Sequence, residues 1–148
     1  MARKPKAYVL DSWAVLAYLE DEPAGESVAD LIVDAQENGQ AVYMSVVNTG
    51  EVWYILAREV SEAEADKAVE ELQHMGIQVV DATWPLTRTA GIFKAKGKIS
   101  YADCFAAALA SDKKADLVTG DREFKQVESQ ISVHWLQSHR QRQPNFRG

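Results

Sequence analysis

The sequence contains one cysteine, Cys104, in 148 residues, and its three histidines lack the spacing of a zinc site. A single cysteine excludes a disulfide framework and is typical of proteins in a reducing cytoplasm. We therefore expect Cys104 to be a small core residue. No window approaches the roughly 18 apolar residues that a membrane-spanning helix needs, so we expect no membrane partner.

Other common signatures are also missing. No Gly-rich run precedes Lys-Ser or Lys-Thr, which excludes a P-loop. Basic residues precede an apolar stretch near the N-terminus, but Asp11 interrupts it and no small-residue cleavage site follows. We therefore expect an unexported, cytoplasmic protein. Without repeats or linkers, the length predicts one domain over residues 1–148, with a core at about 7–136 and a tail at 137–148.

The formal net charge of −6 argues weakly against a protein that coats nucleic acid. The charges are unevenly distributed, however, since acidic residues concentrate in 20–37 and 59–71. Residues 83–99 and 129–148 carry basic residues and no acids. Each basic stretch could be a solvated surface or a contact surface for a polyanion. The basic residues of these two stretches are Arg88, Lys94, Lys96, Lys98, Arg140, Arg142 and Arg147.

Strand-like and helix-like segments alternate along the whole chain, and Ser45, Ser61 and Ser100 are predicted helix caps. Short apolar strands that alternate with helices are typical of a mainly parallel sheet covered on both faces. We therefore predict an α/β fold, a three-layer α/β/α sandwich around a mainly parallel five-stranded sheet. The predicted strands are Ala7–Leu10, Ala41–Met44, Ile77–Val80, Leu117–Thr119 and Ser132–Trp135.

Four carboxylates lie in or beside apolar segments that contain no basic residue: Asp11, Glu51, Asp103 and Asp121. Asp11 and Asp121 follow predicted strands, while Glu51 and Asp103 lie near the starts of predicted helices. All four can therefore reach the carboxyl edge of one sheet, where open α/β sheets bind ligands.

Taken singly, three of these acids have ordinary explanations. Asp11 could cap the first helix, Asp103 could form a capping box with Ser100, and Asp121 could be a turn residue. Glu51 is harder to explain, because it shares a helix face with apolar residues and charged groups are rarely buried without a partner. Its ordinary alternative is an ion pair with an arginine.

The shared setting of the four acids suggests one metal site. Carboxylates packed together repel each other unless a cation neutralises them. Four oxygen ligands without histidine favour Mg²⁺ or Mn²⁺ over zinc. Since Mg²⁺ in proteins is often shared with phosphate oxygens, metal-assisted phosphodiester hydrolysis is the natural chemistry.

Four short motifs resemble those of the PIN domain family, in order and at family spacing. They are Tyr8-Val9-Leu10-Asp11-Ser12, Asn48-Thr49-Gly50-Glu51-Val52, Ser100-Tyr101-Ala102-Asp103-Cys104 and Val118-Thr119-Gly120-Asp121-Arg122-Glu123-Phe124. The resemblance covers about residues 7–136, and in size the chain is most similar to VapC-type toxins of VapBC toxin–antitoxin pairs. It implies a PIN-like fold and a divalent-metal-dependent endoribonuclease that is inhibited by a VapB-type antitoxin and frequently forms homodimers.

By this resemblance, the family's four catalytic and metal-binding acids correspond to Asp11, Glu51, Asp103 and Asp121. Ser12 and Thr119 occupy positions of supporting hydroxyl groups, and Glu123 is either a further acid or a surface residue. Asn48, one turn before Glu51, is either a residue that supports the site or contacts substrate, or a polar residue on the helix surface. Residues expected near the metal edge as RNA contacts are Arg88, Lys94, Lys96, Lys98, Arg122 and Lys125.

The sequence disfavours two other functions. A haloacid dehalogenase-like phosphatase needs a second acid two residues after Asp11, but Trp13 stands there. Receiver domains need an acidic pair before the sheet, and this chain lacks one. A non-catalytic PIN-like RNA-binding scaffold would be favoured if one of the four acids had been replaced. A housekeeping RNA-processing nuclease without an antitoxin stays open.

Large aromatic residues are numerous on the predicted helices. They either fill the core or line contact surfaces for a second copy of the chain and an antitoxin. These residues are Trp13, Tyr18, Trp53, Tyr54, Trp84 and Phe93.

Overall fold

The computed structural model describes residues 5–137, in which five strands form one sheet. The strands are β1 (Ala7–Leu10), β2 (Ala41–Ser45), β3 (Gln78–Val80), β4 (Asp116–Thr119) and β5 (Val133–Trp135). The helices of this part are α1 (Ser12–Leu19), α2 (Pro23–Glu37), α3 (Val46–Glu59), α4 (Glu62–His74), α5 (Trp84–Lys96) and α6 (Tyr101–Lys113), with a 3₁₀-helix at Arg122–Val127.

The sheet has the strand order β3-β2-β1-β4-β5, and every neighbouring pair is parallel. The predicted parallel five-stranded sheet is therefore confirmed. The chain moves outward from β1 to β3 on one side and then returns to β4 on the other side of β1. This reversal makes the carboxyl ends of β1 and β4 the topological switch point, where such sheets leave a crevice for ligands.

Helices cover both faces of the sheet, as predicted. Alternate residues of β1 point to opposite faces, and all four are buried. Tyr8 and Leu10 join a core formed with residues of α1, α2, α3 and α4. Ala7 and Val9 join a second core, in which Phe93 of α5 and the alanine-rich middle of α6 are buried. The three-layer α/β/α sandwich follows from these two cores.

The predicted strand boundaries differ from the observed ones by one residue at most. β2 extends to Ser45, and β3 and β5 begin one residue later than expected. Ser45, Ser61 and Ser100 each accept a hydrogen bond from the first turn of the following helix, so the three predicted caps are confirmed. The 3₁₀-helix after Asp121 was not predicted, because its six residues are too few to show a helical period.

Two further expectations concern parts of the chain away from the sheet. Among the described residues, no helix is long and apolar enough to cross a membrane. The basic tail with Arg140, Arg142 and Arg147 lies outside the described residues.

Candidate active site

Asp11 and Asp121 are linked at the switch point by the side chain of Thr119. The Thr119 hydroxyl donates to Oδ2 of Asp11 at 2.5 Å and accepts a hydrogen bond from the backbone N–H of Asp121 at 3.0 Å. Thr119 is fully buried and is the last residue of β4. The Thr119 hydroxyl group thus holds Asp11 against the end of β4, directly before Asp121.

Asp11 is also the cap of helix α1. Its Oδ1 accepts a hydrogen bond from the backbone N–H of Ala14 at 2.9 Å, and only 1% of the residue is exposed. The capping role considered from the sequence is therefore real. It does not exclude a site role, because an ionised carboxylate offers about four lone-pair positions, of which two are used here.

Asp103 and Asp121 combine local and site geometry in the same way. The backbone N–H of Asp103 donates to the Ser100 hydroxyl at 3.2 Å in the first turn of α6. Oδ1 of Asp121 accepts from the N–H of Glu123 at 3.0 Å and so begins the 3₁₀-helix. Both carboxylates are only partly buried, so both remain accessible from the cleft.

Glu51 is the sixth residue of α3 and is partly buried. Its helix contacts both α1 and α6, which carry the neighbouring acids at their N-terminal ends. The Glu51 charge contributes to raising the pKa of Asp103. Glu51 therefore lies within electrostatic range of Asp103 on a different helix.

Burial and mutual repulsion dominate the electrostatics of these acids. Burial raises the pKa of Asp11 well above its usual range, and the charges of Asp103 and Asp121 raise it further. The hydrogen bonds from Thr119 and Ala14 act in the opposite direction, because they stabilise the ionised form.

The pKa of Asp103 is also raised by its surroundings. Burial, followed by the charge of Asp121, raises the pKa of Asp103 from 3.8 to about 7, with smaller contributions from Glu51 and Glu123. The hydrogen bond with Ser100 partly offsets this rise. Within residues 5–137, none of the four acids forms an ion pair with lysine or arginine. Their negative charge is uncompensated in this part of the chain.

Within residues 5–137, the four acids do not form a closed set of metal ligands. In the described part of the chain, no three His, Cys, Asp or Glu side chains lie close enough to form a ready-made metal cage. Mg²⁺ seldom uses such a cage, since it keeps several waters and binds through one or two carboxylates and the phosphates of a substrate. The four oxygen-donating acids fit a hydrated hard cation of this kind.

The structure brings two of the predicted supporting residues into contact. Asn48 is fully buried, and its Nδ2 donates to the carbonyl oxygen of Ala102 and lies 3.4 Å from the Ser12 hydroxyl. The alternative that Asn48 is a surface residue is therefore wrong. A helical period alone could not place it, because the side that α6 covers depends on tertiary packing.

Trp13 belongs to the site region in a way that the sequence analysis missed. Its indole ring packs on the backbone of Gly120, where any Cβ atom would clash with the ring. The glycine between Thr119 and Asp121 is thus explained by this close approach. The only signal in the sequence was the glycine itself.

The six residues predicted to contact RNA are all exposed, but the side chain of Lys94 is already hydrogen-bonded within the protein. The Lys94 ammonium donates to the carbonyl oxygen of Ile99 at 2.8 Å and thereby braces the loop between α5 and α6. The same loop is tied from the other side, because the Lys98 N–H donates to Oε1 of Gln126. Arg88 and Lys96 lie on α5, and Arg122 and Lys125 lie on the 3₁₀-helix after Asp121.

A family model for the PIN domain matches residues 8–130. The chain belongs to the PIN domain family. The matched range includes all four acids, all but the first residue of β1, and the whole of β2, β3 and β4. No curated protein sequence matches significantly.

Solved structures of VapC-type PIN domains share the fold. A chain of VapBC2 from Rickettsia felis, bound to a promoter DNA fragment, is 15% identical with a TM-score of 0.74, covering 88% of this chain and 99% of its own. VapC20 of Mycobacterium tuberculosis, a sarcin-ricin loop cleaving toxin, is 17% identical with a TM-score of 0.66, covering 87% and 99%. A chain of DNA-bound VapBC from Salmonella typhimurium is 16% identical with a TM-score of 0.67, and the match covers 86% of this chain and 96% of that one. At these identities the expected resemblance is confirmed for the fold.

The raised pKa of Asp103 predicts how the stability of this PIN domain depends on pH. Between about pH 4 and pH 7 the folded, metal-free protein keeps a proton that the unfolded chain releases. The free energy of unfolding should therefore fall as the pH rises through this window and level off above it. Asp103→Asn should melt at a higher temperature than the parent at pH 7.5, with a shallower slope below pH 7.

Thermal unfolding in EDTA across a pH series measures this effect. Asp112→Asn, at an exposed position of the same helix, is the matched control and should follow the parent. A slope in Asp103→Asn equal to that of the parent would contradict the assignment of the proton to Asp103.

Proposed function

We propose that the protein is a divalent-metal-dependent endoribonuclease that acts as the VapC-type toxin of a toxin–antitoxin pair in the cytoplasm. The observation that carries the proposal is the group of four carboxylates without ion-pair partners at the switch point of the sheet. Such a group is unfavourable for the protein alone, because the charges of neighbouring acids raise the pKa values of Asp11 and Asp103. A bound cation would relieve this repulsion.

Asp11, Glu51, Asp103 and Asp121 would hold Mg²⁺ or Mn²⁺, which is the ion class that oxygen ligands select. When bound, such a cation supplies a Lewis acid and neutralises charge that develops during phosphodiester hydrolysis. The chain's own residues prepare the ligands. Thr119 orients the Asp11 carboxylate, and its hydrogen bond partly offsets the rise in the pKa of Asp11, which favours the ionised form that a metal requires.

RNA is the proposed substrate because the structural neighbours with this fold include a toxin named for cleaving the sarcin-ricin loop. The arrangement around Asp11 also disfavours the phosphatase alternative. The position two residues after Asp11, where that class needs an acid, is occupied by Trp13, whose ring packs on Gly120. The RNA cleaved by this chain can be identified by sequencing the ends that it produces.

An antitoxin of the VapB type and a second copy of the chain are the proposed protein partners, since several neighbours are VapBC complexes. Of the six aromatic residues considered for contacts, Phe93 is buried, and Trp13, Tyr18 and Trp53 pack partly against the core. Tyr54 and Trp84 remain exposed, at 46% and 71%.

We therefore predict that Tyr54 and Trp84 contribute to partner contacts. Light scattering at high micromolar concentration should give the mass of a dimer, and Tyr54→Ser with Trp84→Ser should weaken the dimer. A monomeric parent protein would contradict the homodimer. A small open reading frame upstream with a DNA-binding N-terminal region would distinguish the toxin from a housekeeping nuclease.

The catalytic assignment predicts that Asp11→Asn, Glu51→Gln, Asp103→Asn and Asp121→Asn each reduce metal-dependent RNA cleavage by at least about 100-fold, because each removes a charge from the proposed metal site. Circular dichroism should show an unchanged fold, since amides keep the shape of the acids. Cleavage of a labelled RNA in Mg²⁺ or Mn²⁺, with EDTA as the blank, is the measurement.

Glu123→Gln is the informative comparison within this set, because Glu123 influences Asp103 but is exposed. We expect a smaller loss there than at any of the four acids. Full activity in Asp103→Asn would overturn the proposed site.

The basic residues near the site predict a salt-dependent RNA contact. Replacing Lys94, Lys96 and Lys98 together by Gln should weaken RNA binding at low salt and flatten its dependence on salt concentration. Lys96→Gln with Lys98→Gln should account for most of the change in slope, because the Lys94 ammonium is engaged by Ile99. Metal affinity should change little in the double variant.

Fluorescence anisotropy with a labelled RNA across a salt series measures this slope. Lys67→Gln, on helix α4 beside Glu64, is the matched control for the loss of one exposed lysine. An unchanged slope in the triple variant would mean that this surface is only solvated.

A further inference from the structure

We infer that Asn48 is the positioning residue of the site: its buried amide fixes the helix that carries Glu51 against the segments that carry Asp11 and Asp103. The inference rests on the proposed function only for its activity readout. It makes a separate statement about metal affinity, which can be measured without RNA.

The contact with α6 is the stronger of the two side-chain contacts of Asn48. Its Nδ2 donates to the carbonyl oxygen of Ala102 at 3.1 Å, across 54 residues of sequence. That carbonyl belongs to the peptide group that links Ala102 to Asp103. Any movement of α3 relative to α6 is therefore transmitted to the backbone of Asp103.

The contact with α1 is reciprocal. The Ser12 hydroxyl donates to the backbone carbonyl oxygen of Asn48 at 3.2 Å and lies 3.4 Å from its Nδ2. Ser12 directly follows Asp11 and is also buried. Because the hydroxyl donates to the Asn48 carbonyl, its oxygen is free to accept from the Asn48 amide. The two residues thus tie the start of α1 to the start of α3.

Glu51 lies three residues after Asn48 on α3, which places the two side chains on neighbouring positions of one helix face. Asn48 therefore touches residues adjacent to Asp11 and Asp103 and stands one turn from Glu51. Asp121 is joined to the same group through Thr119 and Asp11. Asn48, a neutral residue, consequently holds together three of the four segments that carry the acids.

The orientation of the amide follows from its surroundings. Nδ2 must face the Ala102 carbonyl, because a flipped amide would bring two acceptor oxygens together. In this orientation, Oδ1 of Asn48 is buried without a hydrogen-bond partner among residues 5–137. A buried, unpaired acceptor lowers stability. The presence of an asparagine here, despite this loss of stability, is better explained by its effect on the position of the acids than by packing.

Thr49 provides a matched control on the same helix. It is also buried, but its hydroxyl donates to the Ser45 carbonyl one turn earlier, at 3.0 Å. That hydrogen bond stays within the N-terminal turn of α3 and reaches no other acid-bearing segment. Thr49→Val therefore removes a buried polar group of similar size without breaking a tie between the acids.

The experiment compares Asn48→Leu with Thr49→Val and the parent protein. Calorimetry with Mn²⁺ alone gives metal affinity, RNA cleavage gives kcat and KM, and thermal unfolding in EDTA gives stability. We expect Asn48→Leu to lose about 10- to 100-fold in Mn²⁺ affinity and in kcat, the range typical of residues that orient metal ligands. KM should change less than kcat, and Thr49→Val should match the parent in affinity and kcat.

If the parent binds Mn²⁺, two results would overturn the inference. The first is Mn²⁺ affinity in Asn48→Leu equal to that of the parent, and the second is a loss that only follows the unfolded fraction. If Asn48→Leu does not fold, Asn48→Ala replaces it, with the same criteria. A parent that binds Mn²⁺ but cleaves no RNA refutes the proposed function, while the affinities still decide the role of Asn48. A parent that binds no Mn²⁺ refutes both.

Discussion

The hydrogen bond between Thr119 and Asp11 joins the carboxyl ends of the paired strands β1 and β4, and the geometry of the proposed site depends on it. The strand order reverses between these two strands, so the chain leaves them in different directions, and a switch point of this kind leaves a crevice for ligands. The Thr119 hydroxyl spans the crevice at its base, holding one carboxylate and the backbone of Asp121. Both strands are buried, so the two cores of the sandwich keep this contact rigid.

This arrangement holds acids where they destabilise each other. Asp11 is almost fully buried, and the pKa values of Asp11 and Asp103 are both raised, so the metal-free fold is less stable at neutral pH than one with neutral residues there. The energy that offsets this loss comes from apolar burial on both sides of the sheet. Unfavourable electrostatics concentrated at one edge of a well-packed sheet are the expected property of a binding site.

Much of the fold, and the placement of Asp11 and Asp121 at the carboxyl edge of the sheet, could be predicted from local patterns. Buried parallel strands are short apolar runs, and the residue that follows such a strand lies at the carboxyl edge of the sheet, as Asp11 does. The sequence posed capping and site formation as alternatives, whereas Asp11 and Asp121 cap helices and are also linked to each other through Thr119 at the switch point. Long-range contacts could not be predicted. The burial of Asn48 depends on α6, and the engagement of Lys94 depends on a loop carbonyl.

The residues that orient the acids are all neutral. Ser100 and Thr119 contribute hydroxyl groups, Asn48 an amide, and backbone N–H groups complete the set. A lysine or arginine in any of these places would also orient a carboxylate, but it would neutralise the charge and compete with a cation. Neutral donors form hydrogen bonds with the carboxylates of Asp11, Asp103 and Asp121 and leave their charge available. Within residues 5–137, neutral orienting residues therefore stand beside acids that have no ion-pair partner, which is the combination that a cation-binding site requires.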